Sequence, residues 1–85
     1  MGERTLIPLP LDDTNAPVIS IGYPVIFKPC ADSPARFDLD GEYLGRFDGF
    51  KRYGGSIAVR VIRQGERLWL PAGNVFFAER TGAHV

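Results

Sequence analysis

The chain has 85 residues, of which 45% are hydrophobic and 24% charged, and its ten basic and ten acidic side chains give a formal net charge of zero. That length and composition describe one small globular domain, excluding intrinsic disorder and a second core, while zero net charge excludes a whole-molecule field that gathers nucleic acid. A single cysteine, Cys30, and a single histidine, His84, exclude an internal disulfide and a zinc cluster.

Residues 1–17 read as an extended arm. Pro8, Pro10 and Pro17 remove amide donors and block helix, and "LDDTNAP" is a turn cluster. Leu6, Ile7, Leu9 and Leu11 make the arm too apolar to stay in water, so it is expected to lie on its own domain or against a second subunit. No basic stretch followed by a long apolar run begins the chain, which predicts a cytoplasmic protein with no membrane span.

From Val18 to Arg80 the chain breaks into short apolar runs, "VISIGYPVIFK", "EYLGRFDGF", "SIAVRVIR", "ERLWL" and "VFFAE", separated by glycine, proline and charged turns. None holds a helical period, and all are rich in β-branched and aromatic residues. The reading is an all-β domain, a small five-stranded barrel over residues 18–80, with residues 81–85 as a tail. Phe27, Phe47, Phe76 and Phe77 are expected in its core. Adjacent Phe76 and Phe77 face opposite sides of a strand, so one ring needs outside cover, which predicts a homo-oligomer.

The segment "VRVIRQGERLWL" fixes a register. A two-residue turn at Gln64-Gly65 sets Arg63 against Glu66, Ile62 against Arg67, Val61 against Leu68, Arg60 against Trp69 and Val59 against Leu70. Val59, Val61, Leu68 and Leu70 then share an apolar face, and Arg60, Ile62, Arg67 and Trp69 share the opposite one. Trp69 has three readings there: a cation–π partner of Arg60, a ring covered by the arm, or an exposed platform for a partner.

"GFKRYGGS" is the second candidate site. Lys51, Arg52 and Tyr53 before two glycines are expected to form a protruding loop suited to contacting phosphate and stacking a base, and convergence of Lys51, Arg52, Tyr53, Arg60, Arg63 and Trp69 on one face would favour nucleic acid. Asp38, Asp40 and Glu42 in "FDLDGE" share a side only if extended, and their spacing is not that of an EF-hand; a solvated turn pairing with Arg36 or Arg46 is the simpler reading. Cys30 reads as a structural thiol and His84 lies at the chain end, so no catalytic residue, metal or cofactor is assigned.

"LPAGNVFFAER", an apolar strand end with proline, a short turn and a last strand, resembles the close of Src homology 3 domains, where a proline-containing one-turn helix joins the fourth and fifth strands. "YPVIFKP" resembles their first strand, "CADSPARFDLDG" their long first loop and "EYLGRFDGF" their second strand, so the resemblance spans about residues 21–79. It implies an SH3-like barrel. The first strand carries "YPVIFK" instead of the family's "ALYDY", and no tandem tryptophan is present. Size and ending are also similar to the plasmid-borne type II dihydrofolate reductases, but their Val-Gln-Ile-Tyr pore motif is not matched by Arg67-Leu68-Trp69-Leu70, and no catalytic residue carries across. The sequence thus predicts a non-enzymatic module of a bacterium or mobile element. It would bind a protein partner or itself through Trp69, Arg60 and Arg67, with nucleic-acid binding through Lys51-Arg52-Tyr53, Arg60, Arg63 and Arg67 as the alternative.

Overall fold

The computed structural model describes residues 4–80, with side chains described for residues 6–77. Its elements in chain order are β1 (Arg4–Pro8), β2 (Pro24–Phe27), β3 (Tyr43–Tyr53), β4 (Ser56–Arg63), β5 (Glu66–Pro71), a one-turn 3-10 helix (Ala72–Asn74) and β6 (Val75–Arg80). All strands lie in one antiparallel sheet of order β1-β6-β2-β3-β4-β5. The chain is all-β as expected, with six strands instead of five, and the hydrogen-bonded ladder is open between β1 and β5. The extra strand is "RTLIP", which pairs with β6 from Arg4 against Arg80 to Pro8 against Phe76. A single proline at the end of an edge strand removes no ladder bond, which is why "LIPLPL" hides a strand.

One apolar cluster joins Val25 and Phe27 of β2, Phe47 of β3, Val59 and Val61 of β4, Leu68 and Leu70 of β5 and Val75 of β6. β6 and β5 stand far apart in the ladder, so a shared cluster means that the sheet curls around its own inner face. Leu9 from the arm and Phe37 from the long 28–42 loop close the cluster. Phe37 stacks edge-on against Phe27 and Tyr43, at centroid distances of 6.0 and 5.1 Å. Phe27 and Phe47 are buried as expected, whereas Phe76 and Phe77 are half-buried. Phe77 leans on Tyr23 at 5.1 Å, and Lys28 covers Phe76 with its ammonium 5.6 Å from the ring centre.

Two backbone devices shape β3. Gly45 faces inward where a Cβ would sit 2.5 Å from Val61 Cγ1 and 3.0 Å from the Ile62 carbonyl oxygen, so only glycine lets β3 lie this close to β4. Between Phe47, opposite Val61, and Phe50, opposite Val59, the strand holds one extra residue, a β-bulge at Asp48-Gly49 with Gly49 at φ +122°. An odd insertion inverts the in–out alternation. Beyond it Lys51 lies opposite Ala58, on the outer face, where an unbroken strand would have turned it inward.

The arm is tied to its own domain. Val18 N–H donates to the Pro10 carbonyl at 2.8 Å, Leu11 bridges to Pro17, and Arg52 donates to the Thr14 carbonyl at 2.6 Å and to Thr14 Oγ1 at 2.8 Å. Asp12 organises the bend, its Oδ1 accepting from Thr14 Oγ1 at 2.6 Å, Thr14 N–H at 2.8 Å and Ala16 N–H at 3.0 Å. Those bonds stabilise the carboxylate, first that from the Thr14 hydroxyl, and hold Asp12 below the usual aspartate range. Among the described residues no helix is long and apolar enough to cross a membrane. His84 and the 81–85 tail lie outside the described residues.

Candidate functional site

The β4–β5 hairpin forms in the expected register throughout, from Arg63 against Glu66 to Val59 against Leu70. Gln64 at φ 53° and Gly65 at φ 81° give both turn residues the left-handed backbone that matches strand twist in a two-residue loop. Trp69 therefore emerges on the outer face, 41% exposed. The Lys51 ammonium lies 4.4 Å from its ring centre and the Arg60 guanidinium 5.4 Å, each contact contributing about 0.5–1 kcal/mol at an exposed site. The two cations hold the indole in one orientation without covering it.

Asp48 supplies the counter-charge. The bulge aims its carboxylate across the same face, where Oδ2 stands 2.7 Å from Arg60 Nε and 3.5 Å from Arg67 Nε. The Arg60 contact is a charge pair, without the aligned N–H geometry of a hydrogen bond. Arg60 Nη2 also donates to the Asp48 carbonyl at 3.2 Å. Lys51 has no ion pair among the described residues.

Beside Trp69 runs a cleft of about 550 Å³, in the size range of ligand-binding clefts. Leu68, Leu70 and Pro71 form its apolar wall, Lys51 and Tyr53 one end, and Cys30, Ser33 and Pro34 of the long loop its opposite bank. Cys30 is a free thiol, its Sγ 3.7 Å from Ser33 Oγ. The loop is braced by a bond from Arg36 Nη2 to Glu66 Oε1 and by the Cys30 N–H, which donates to Ser33 Oγ at 3.1 Å. No described residue of the arm lines the cleft, and among the described residues the arm leaves Trp69 41% exposed.

The six residues singled out for nucleic acid do not converge. Lys51, Tyr53, Arg60, Trp69 and also Arg67 share the outer face or its cleft. Arg52, one residue out of phase with Lys51, turns away to Thr14. Arg63 Nη1 donates to the Leu44 carbonyl at 2.8 Å and its guanidinium lies over Tyr43, 5.4 Å from the ring centre. Lys51, Arg52 and Tyr53 end strand β3 instead of riding a loop, and the turn is Gly54-Gly55 alone.

The acidic stretch is folded as a turn and not extended. Asp40 N–H donates to Asp38 Oδ1 at 3.1 Å and Gly41 N–H to the Asp38 carbonyl at 2.8 Å. Of the two arginines expected beside it, Arg36 bonds to Glu66 and Arg46 Nη1 donates to the Gly22 carbonyl at 2.9 Å. Sequence reasoning missed Asp48, whose place in "GRFDGF" gives only an aspartate-glycine signal for a backbone irregularity, and the Cys30–Pro34 bank of the cleft. Comparisons of this chain with protein-family models, with curated proteins and with solved structures found no match.

Proposed function

We propose that the chain is a non-enzymatic protein-interaction module whose partner docks on Trp69 and its cleft. The observation that carries this reading is the exposed indole, held by Lys51 and Arg60 at the rim of a cleft walled by Leu68, Leu70 and Pro71. Buried aromatic anchors next to arginine, set beside an apolar pocket, are what dominates binding energy at protein interfaces. The charge balance supports a protein over nucleic acid: Arg52 and Arg63 are spent on carbonyls, and Asp48 offsets Arg60 and Arg67. The one-turn helix after Pro71, the long loop and the short hairpin turns support an SH3-like barrel as the fold of such a module.

The test compares the parent with Trp69→Ala as immobilised bait in native lysate, at low and high salt, with and without nuclease. Capture that survives nuclease, weakens no more than about tenfold at high salt and drops at least about thirtyfold in the variant, as for an interface hot spot of ~2 kcal/mol, is the expected result. Capture unchanged in the variant, or abolished by nuclease, overturns the proposal.

A further inference from the structure

Resting on that reading, we propose how the partner binds: as an extended strand added to the open edge of β5, with acidic side chains alternating with apolar ones. β5 ends the sheet order, so only one of its sides is paired. With a two-residue turn, Arg63 and Glu66 form a hydrogen-bonded pair, and the alternation continues through Val61 with Leu68 and Val59 with Leu70. Glu66, Leu68 and Leu70 therefore direct their backbone groups to β4. Arg67 and Trp69 direct theirs outward, and no described residue bonds to them.

The cleft follows this edge. All six residues of β5 line it, although their side chains alternate between the inner and outer faces. A hollow confined to one face would be lined by every second residue. One lined by all of them runs along the open backbone, with Pro34 and Ser33 as the far bank. An added strand settles about 4.8 Å from its neighbour and presents side chains alternately to the two faces. β1, the other edge, ends at Pro8, which has no amide to offer.

Of the acidic residues lining the cleft, Glu66 is bonded to Arg36 and Asp32 belongs to the far loop, so the cations beside the open edge select the guest. On the outer side its side chains meet Lys51 and the exposed Arg67; among the described residues Lys51 has no ion pair, and Arg67 has one carboxylate contact, 3.5 Å away on a group already held by Arg60. Carboxylates fit there. On the inner side they meet Leu68 and Pro34, where an aliphatic residue fits.

The probe is the peptide acetyl-(Glu-Val)3-amide, added to the ¹⁵N-labelled full chain. The expected result is binding with slowed exchange of the Arg67 and Trp69 amide protons and with Leu68 and Leu70 unchanged. (Lys-Val)3 binds at least about tenfold more weakly, a difference of ~1.4 kcal/mol. Two further peptides carry N-methyl groups on every Glu or on every Val; since only alternate amides of an added strand face β5, one pattern abolishes binding and the other is tolerated. Equal tolerance of both patterns, binding without protection of the two amides, or no binding of (Glu-Val)3 overturns strand addition and leaves Trp69-dependent partner capture standing. Protection of the same amides in the peptide-free protein, growing with its concentration, assigns the edge to a second copy and also overturns it.

Discussion

Replacing Gly45 by alanine tests the close approach of β3 and β4 that underlies the outer face. The new methyl would stand 2.5 Å from Val61 Cγ1, 3.0 Å from the Ile62 carbonyl oxygen and 3.3 Å from Phe27 Cε1. Carbon atoms in contact prefer about 3.5–4.0 Å, and Val61 and Phe27 are both fully buried with nowhere to move. Overpacking of this kind costs about 1–3 kcal/mol, and a backbone oxygen among the obstacles places Gly45→Ala at the upper end, ~3 kcal/mol. For a domain of this size ~3 kcal/mol lowers the melting temperature by about 12–24 °C. Most of the cost belongs to one methyl group, so the variant should be partly rescued by Val61→Ala, which by itself costs about 2 kcal/mol as a cavity. Urea unfolding of the parent, both single variants and the double variant closes the cycle, with an expected coupling of ~2 kcal/mol in favour of the pair. Gly45→Ala within about 0.5 kcal/mol of the parent, or costs that simply add, would refute the contact.

Gln64→Asn should stabilise the protein by about 0.5 kcal/mol, because asparagine tolerates the φ of 53° that glutamine adopts only under strain; the urea midpoint measures it. Asp12, held below the usual range by its bonds from Thr14 and Ala16, contributes stability that is fully present above about pH 3.9, the unfolded value, and is lost as pH falls through the lowered folded value. Asp12→Asn should therefore narrow the gap to the parent as pH drops below that value, read by melting from neutral pH into acid; a gap that widens would reverse the sign. Arg52→Ala should speed amide exchange in residues 12–16, where Thr14 loses its anchor, and leave binding at Trp69 unchanged, since Arg52 is turned away from the cleft.

The hairpin was legible from sequence because a two-residue turn leaves a single phase, and two apolar pairs on one side make any slip costly. Trp69 could thus be placed on the outer face beside Arg60. The arm's strand was not legible, since three prolines in seventeen residues mask a pairing that uses only its first part. Phe37 was missed because its neighbours "PARFDLD" show no strand or helix period, and a loop residue enters a core only by tertiary packing. Lys51 and Arg52 look interchangeable in a string of letters. What separates them is the parity change at Asp48-Gly49, which no side-chain pattern announces.

The extra residue at Asp48-Gly49 separates two things that a regular strand would tie together, local backbone direction and side-chain facing. Deleting Gly49 would remove the extra residue and leave Asp48 opposite Arg60, Phe50 opposite Val59 and Lys51 opposite Ala58, so the side chains beside the indole would keep their face. The bulge thus sets the local bend of β3 and the aim of the Asp48 carboxylate, while the facing of Lys51 and Tyr53 follows from their pairing with β4.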